Sequence, residues 1–112
     1  GEVQYSYLGI TGGEIGLDLI EEYSLANNQR GLPIGSVQPN SPASAAGLRG
    51  ISNSSVDIIV AVNDVPIIDF SSLIGYLAEN TRPGDTVTAT ILRDGELLDL
   101  PVTLANRPEN VP

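Results

Sequence analysis

The chain has 112 residues, 41% of them hydrophobic, and a net charge of −9 with arginine as its only cation. That length suits one compact domain, no apolar run reaches the roughly 18 residues of a membrane span, and no basic face is available for the phosphates of nucleic acids or anionic lipids. With no histidine, cysteine or lysine, the usual nucleophile–base pairs, zinc ligands and Schiff-base chemistry are gone, which leaves carboxylates, hydroxyls and arginine in a chain short of size and aromatics for a two-carboxylate enzyme.

The first apolar piece is "YLGITG", residues 7–12, which reads as a short strand. Residues 14–25 follow a helical spacing, with Ile15, Leu19 and Tyr23 on one face, although Gly16 weakens it. "NNQRG" ends that segment. Residues 32–39, "LPIGSVQP", read as a strand. In "NSPASAAGL", Asn40 or Ser41 can cap a short helix, Pro42 suits its first position, and Gly47 can end it in the left-handed conformation. A polar loop, "RGISNSS", leads to "VDIIVAVND", a β-branched run of strand length closed by the turn signal "NDVP".

Residues 69–80, "DFSSLIGYLAEN", form the clearest helix. Asp69 or Ser71 can cap it, and Phe70, Leu73, Ile74 and Leu77 repeat at amphipathic spacing. The last stretch is a hairpin turning at Asp94-Gly95, with Leu98, Leu100 and Val102 on one strand face. The five aromatic residues, four Tyr and one Phe, leave the core to aliphatic side chains. The expected fold is mainly β with two helices (α+β): a partly open antiparallel barrel or sandwich of five or six strands, its open ends covered by the helices. One domain is expected over residues 1–112, with a core of about 7–104 and a tail at 105–112. No signal peptide is visible, and the abrupt ends resemble a segment cut from a longer protein.

The scattered carboxylates match no calcium-loop spacing, so no metal, cofactor or catalytic residue is expected. Asp57 reads as a residue at the start of a strand. Asp94 and Glu96 read as solvated turn residues. Leu8 and Ile10 could be ordinary core residues, Leu73 an anchor of the helix, and Gly12 and Gly13 a strand end or bulge.

"YLGITG", "GLPIGSVQPNSPASAAGL", "DIIVAVNDVPI" and "LRDGE", taken together over residues 7–104, resemble a PDZ domain of the kind that follows the trypsin-like domain of HtrA/Deg serine proteases. The resemblance implies a circularly permuted topology with a carboxylate-binding loop near the domain start. Tyr7, Leu8, Gly9 and Ile10 occupy that loop. The amides of Leu8, Gly9 and Ile10 would face the C-terminal carboxylate of a peptide, a backbone nest that needs no basic side chain. The peptide would add as a strand beside Ile10, Thr11 and Gly12. Phe70, Ile74 and Leu77 would form the opposite wall, with Leu8 and Ile10 closing a pocket for an apolar last residue. Phe70 stands where the commonest PDZ type carries a histidine, which argues for a hydrophobic preference there. Val56 replaces a usual glycine, and the loop before it is longer than usual.

The implied partners are C-terminal or unfolded peptides with apolar ends and a protease domain of the same chain. Nucleic acid and membrane insertion are excluded, and the isolated domain would be a monomer. The implied location is outside the cytoplasm: periplasmic, secreted or membrane-tethered. Two alternatives stand beside this: an interdomain module whose groove is filled by its own linker, such as "NRPENVP", or the PDZ domain of a membrane-embedded protease.

Overall fold

The computed structural model describes residues 6–13, 15–52 and 55–106. Glu14 of the anticipated first helix, two residues of the polar loop and the tail from 107 onward lie outside the described residues.

Residues 7–12 form two short strands rather than one. β1 is Ser6–Tyr7 and β2 is Ile10–Gly12, separated by Leu8-Gly9. Helix α1, Leu17–Glu22, is shorter than expected. Its cap position holds Gly16, which has no side chain to accept the orphan amides, and Ser24 just beyond its end is left-handed with φ 55°. Strand β3 covers Leu32–Val37. Helix α2, Pro42–Ala46, is capped by Ser41, whose Oγ accepts from the Ser44 amide at 3.2 Å. Gly47 closes it with φ 88°, the left-handed stop that glycine adopts without strain.

Strands β4 (Ile58–Val62) and β5 (Val65–Pro66) are joined by Asn63-Asp64, both left-handed with φ 49° and 66°, as a two-residue primed hairpin turn requires. Helix α3 is Phe70–Asn80, with Asp69 as its cap. The Ser72 amide donates to Asp69 Oδ1 at 2.7 Å, and Ser72 Oγ accepts from the Asp69 amide at 3.1 Å, a reciprocal box that satisfies two orphan donors. Strands β6 (Thr86–Arg93) and β7 (Glu96–Thr103) form the final hairpin across Asp94-Gly95, and β8 is Ala105–Asn106.

The main sheet is antiparallel, in the order β2-β3-β4-β6-β7, with β5 added to β4; β1 and β8 pair separately. The fold is thus mainly β, with three helices rather than two, and its sheets are not closed into a barrel. The core is aliphatic, as the composition required: Leu32, Ile34, Ile59, Ile91, Val102 and Leu104 on or beside the strands meet Leu73 and Leu77 of α3. Along β7, Leu98, Leu100 and Val102 face this core, while Leu97 on the other face is 67% exposed.

One buried polar group stands apart. Asp57, just before β4, is fully buried, and its carboxylate accepts from Arg93 Nε (2.8 Å), an Arg93 terminal nitrogen (2.7 Å) and the Arg49 amide (3.0 Å). Arg93 also donates to the Gly47 carbonyl at 2.9 Å. The hydrogen bond to Asp57 is the main cause that holds the Arg93 guanidinium above its ordinary range, against the opposing cost of burial. Asp57 is therefore a structural hub joining the end of α2, the start of β4 and the end of β6.

Candidate functional site

The stretch singled out in the sequence lies along α3. Two anchor points set this arrangement. Thr81, which caps α3 at its C-terminal end, donates through Oγ1 to Ser6 Oγ at 2.8 Å. At the other end, a Cβ built on Gly12 would lie 3.1 Å from Phe70 Cδ2. The helix therefore runs antiparallel to the segment 6–12, with its first turn beside Gly12 and its last beside Ser6.

The peptide planes between these anchors are turned by contacts to the body of the domain. The Leu8 carbonyl accepts from the Ala43 amide of α2 at 2.9 Å, and the Gly9 carbonyl accepts from the Gln38 amide after β3 at 2.8 Å. In a trans peptide the N–H points opposite to the carbonyl that shares its plane. The amides of Gly9 and Ile10 are thus aimed away from α2 and β3. Among the described residues, neither the Leu8 nor the Gly9 amide donates a hydrogen bond.

Gly9 makes this possible in two ways. Its φ of +92° is a conformation that residues with a side chain rarely adopt, and a Cβ there would fall 2.3 Å from Ser41 Cβ. Ser41 is itself fixed, since its Oγ donates to the Gln38 carbonyl at 2.7 Å while capping α2. The sequence marked Gly9 and the Ser41 cap separately; nothing in their spacing revealed that one sits on the other. The supporting amides of Ala43 and Gln38 left no signal in residue type, because only their backbone acts.

Beyond Gly9 the alternation of an antiparallel ladder takes over. Gly9 faces β3 through its bond to Gln38, and Gly13 faces β3 through its amide, which donates to the Pro33 carbonyl at 3.2 Å. Ile10 and Gly12, in the intervening alternate positions, turn their backbone groups to the other side. That side is an edge of the main sheet, because β2 is its terminal strand. Thr11 faces β3, and its hydroxyl bonds to Ser36 Oγ at 2.8 Å. The register shifts between Thr11 and Gly12, whose partners Ser36 and Ile34 leave Gly35 as the extra residue, so the irregularity lies on β3 rather than at the glycines of β2.

The apolar residues divide into a floor and a rim. Leu8 (7% exposed) and Leu77 (3%) join Leu73 (1%) in the core, with Ile10 packed against them. Phe70 (40%) and Ile74 (48%) stay on the exposed side of α3. Tyr7 is half-buried in β1, paired with Ala105. Among the described residues, the geometry thus brings together an unpaired strand edge, outward-turned amides and two exposed apolar side chains. Among the described residues no group of carboxylates could hold a metal ion.

A family model described as PDZ domain matches residues 13–104. The chain belongs to the PDZ domain family. Its curated relatives are HtrA-type serine proteases. The chain is 35% identical over 104 residues to the periplasmic pH-dependent serine endoprotease DegQ of Escherichia coli K12, covering 93% of this chain and 21% of that protein. It is 31% identical to the serine endoprotease DegS of Salmonella typhimurium, over 96% of this chain and 29% of that protein. The PDZ domain thus spans less than a third of these relatives.

Solved structures give the same fold. The HtrA-type protease AlgW with a decapeptide superposes with a TM-score of 0.78 at 23% identity, over 94% of this chain and 30% of that one. The HtrA3 PDZ domain bound to a phage-derived ligand, FGRWV, superposes with a TM-score of 0.73 at 23% identity, over 96% of this chain and 91% of that one.

Proposed function

We propose that this PDZ domain captures the free C-terminal end of a peptide, which adds as a strand on the open edge of β2. The carboxylate sits against the amides of Leu8, Gly9 and Ile10, and the last side chain enters an apolar pocket floored by Leu8, Ile10 and Leu77 and rimmed by Ile74. Tyr7, Thr11, Gly12 and Phe70 border the added strand. The observation that carries this reading is the orientation of the peptide planes: the carbonyls of Leu8 and Gly9 accept from the amides of Ala43 and Gln38 respectively, so the amides that share those planes, of Gly9 and Ile10, turn outward. Converging amides bind anions without a basic side chain, and main-chain pairing gives affinity tolerant of sequence.

The relatives support the same use. The ligand of the HtrA3 PDZ domain ends in valine, in keeping with an apolar last residue. DegQ and DegS are serine endoproteases; the domain would likewise belong to a serine protease, here one acting outside the cytoplasm, and on this reading would present substrate or regulatory C-termini to it. One added strand buries limited area, so micromolar affinity is expected, about −8 kcal/mol.

The test is calorimetric titration with a pentapeptide ending in valine and with its C-terminal amide. Losing a charge-assisted contact should weaken the amide by about tenfold or more. Equal binding of the two forms would end the carboxylate assignment.

A further inference from the structure

The main sheet carries apolar residues on both faces. Ile59 and Ile91 join the core beneath α3. Ile58 pairs with Leu92 across β4 and β6, and Leu92 pairs with Leu97 across β6 and β7. Directly opposed residues project from the same face of a sheet, and neighbours along a strand alternate. Ile58, Leu92 and Leu97 therefore form a row on the face turned away from α3. The row is covered unevenly. Ile58 is fully buried, and a Cβ on Gly31 would fall 2.6 Å from its Cγ2. Leu92 is half-buried, and Leu97 is 67% exposed. The cover thins towards the tip of the last hairpin.

Where it thins, at Leu92, lies an open cleft of about 210 Å³. Leu25, Val56 and Leu92 form its apolar lining, with Tyr23, Glu22 and Asp94 beside them. The Tyr23 hydroxyl donates to the Ser52 carbonyl, which pins the ring as a wall. Glu22 and Asp94 are exposed, and no described lining residue is cationic. The neighbouring Arg93 is committed to the buried Asp57 carboxylate. Partial burial and, second to it, the Glu22 carboxylate push the Tyr23 phenol above its ordinary range, so the charge of Glu22 is felt at the ring. The cleft is smaller than the roughly 300–1,000 Å³ of small-molecule pockets. Its size suits one long side chain, and its chemistry suits an apolar stem with a cationic head.

We propose that this cleft is a second docking site, independent of the peptide groove, that receives an arginine from the surface of a partner protein. The methylene stem lies along Val56 and Leu92, the guanidinium meets Glu22 and Asp94 beside the Tyr23 ring, and an apolar neighbour of that arginine rests on Leu97. Arginine fits better than lysine because its planar head both stacks on aromatic faces and pairs with carboxylates. A second copy of the chain is a poor occupant, since each copy carries a net charge of −9 and the two repel. The chain's own β8 is a poor one too: it pairs with β1, and the eight residues of β7, about 25 Å of strand, separate it from the hairpin tip.

The experiment is an amide NMR titration with the peptide acetyl-Ala-Arg-Leu-Ala-amide, whose capped end offers no carboxylate to the loop at Gly9. A matched peptide carries citrulline, which keeps the shape of arginine without its charge. Both are titrated into the wild-type domain and into the double variant Glu22→Gln, Asp94→Asn. Both substituted residues are exposed, and asparagine suits the left-handed turn position of Asp94. The arginine peptide should give saturable shifts at Ser24, Leu25, Gly95 and Leu97. Affinity should fall about tenfold with citrulline and by a similar factor in the double variant. Absence of shifts at these residues, equal binding of the two peptides, or shifts confined to residues 8–12 would overturn the proposal. So would shifts of the same amides on raising the protein concentration alone, which would make a second copy the occupant. None of these results bears on carboxylate capture in the peptide groove, which has its own titration.

Discussion

Replacing Arg93 by methionine isolates the buried ion pair from the apolar packing of the arginine stem. The Asp57 carboxylate accepts three hydrogen bonds, two of them from the Arg93 guanidinium at 2.7 and 2.8 Å and one from the Arg49 amide at 3.0 Å. Arg93→Met removes the first two and the cation together, and it strips the Gly47 carbonyl of its bond. A fully buried carboxylate left with one donor is the situation in which breaking a buried pair costs about 3–5 kcal/mol. Domains of this size are stable by about 5–15 kcal/mol. With a urea slope of about 2 kcal/mol/M, the unfolding midpoint should fall by roughly 2 M, read by far-ultraviolet circular dichroism because the chain has no tryptophan. Arg49→Ala is the matched control. It removes the exposed side chain but keeps the backbone amide that bonds to the same carboxylate, so its effect should stay within about 0.5 kcal/mol. If Arg93→Met costs no more than Arg49→Ala, the pair does not hold α2, β4 and β6 together as argued.

Two further predictions concern the groove. Gly9→Val puts a β-branched side chain at φ +92°, with its Cβ 2.3 Å from Ser41, so peptide affinity should drop at least tenfold by calorimetry; unchanged affinity would reject the role given to this loop. Ile74→Asp alters a residue 48% exposed, so the urea midpoint should barely move while an apolar-ended peptide no longer binds; retained binding would take Ile74 out of the rim. Leu77→Ala, by contrast, empties a core position 3% exposed and should cost about 2–5 kcal/mol of stability; a cost under about 1 kcal/mol would contradict its place in the core.

The elements that the sequence announced clearly were those with chemistry at both ends. Ser41, Pro42 and Gly47 bounded α2 at residues whose preferred backbone conformations match their positions. Asp69 placed the start of α3, and Asp94-Gly95 placed the last hairpin. Helix α1 came out shorter than its apolar spacing suggested, because Gly16 supplies no cap side chain and Ser24 leaves the helical region. The periodicity of α3 gave the apolar face but could not separate its buried part, Leu73 and Leu77, from the exposed Phe70 and Ile74; all four share one arc, and only the position of β2 divides it.

What stayed hidden depends on distant partners. Asp57 resembles any acidic residue ahead of a strand until Arg93, 36 positions away, is folded against it. Its burial is legible only in three dimensions. The same holds for the seat of Gly9 on Ser41 and for the Phe70 ring over Gly12. These contacts join segments whose individual patterns are already satisfied by simpler explanations, so no local rule calls for them.

The small ladder of β1 and β8 has a mechanical consequence. Ser6 pairs with Asn106 and Tyr7 with Ala105, so the polypeptide comes in and goes out at one spot, like both ends of a lace through one eyelet. Tension between the ends would part these two rungs in turn, one at a time. The next residues to feel the pull would be Leu8, whose carbonyl is moored to α2, and on the other strand Leu104, bonded to Gly84 and Asp85.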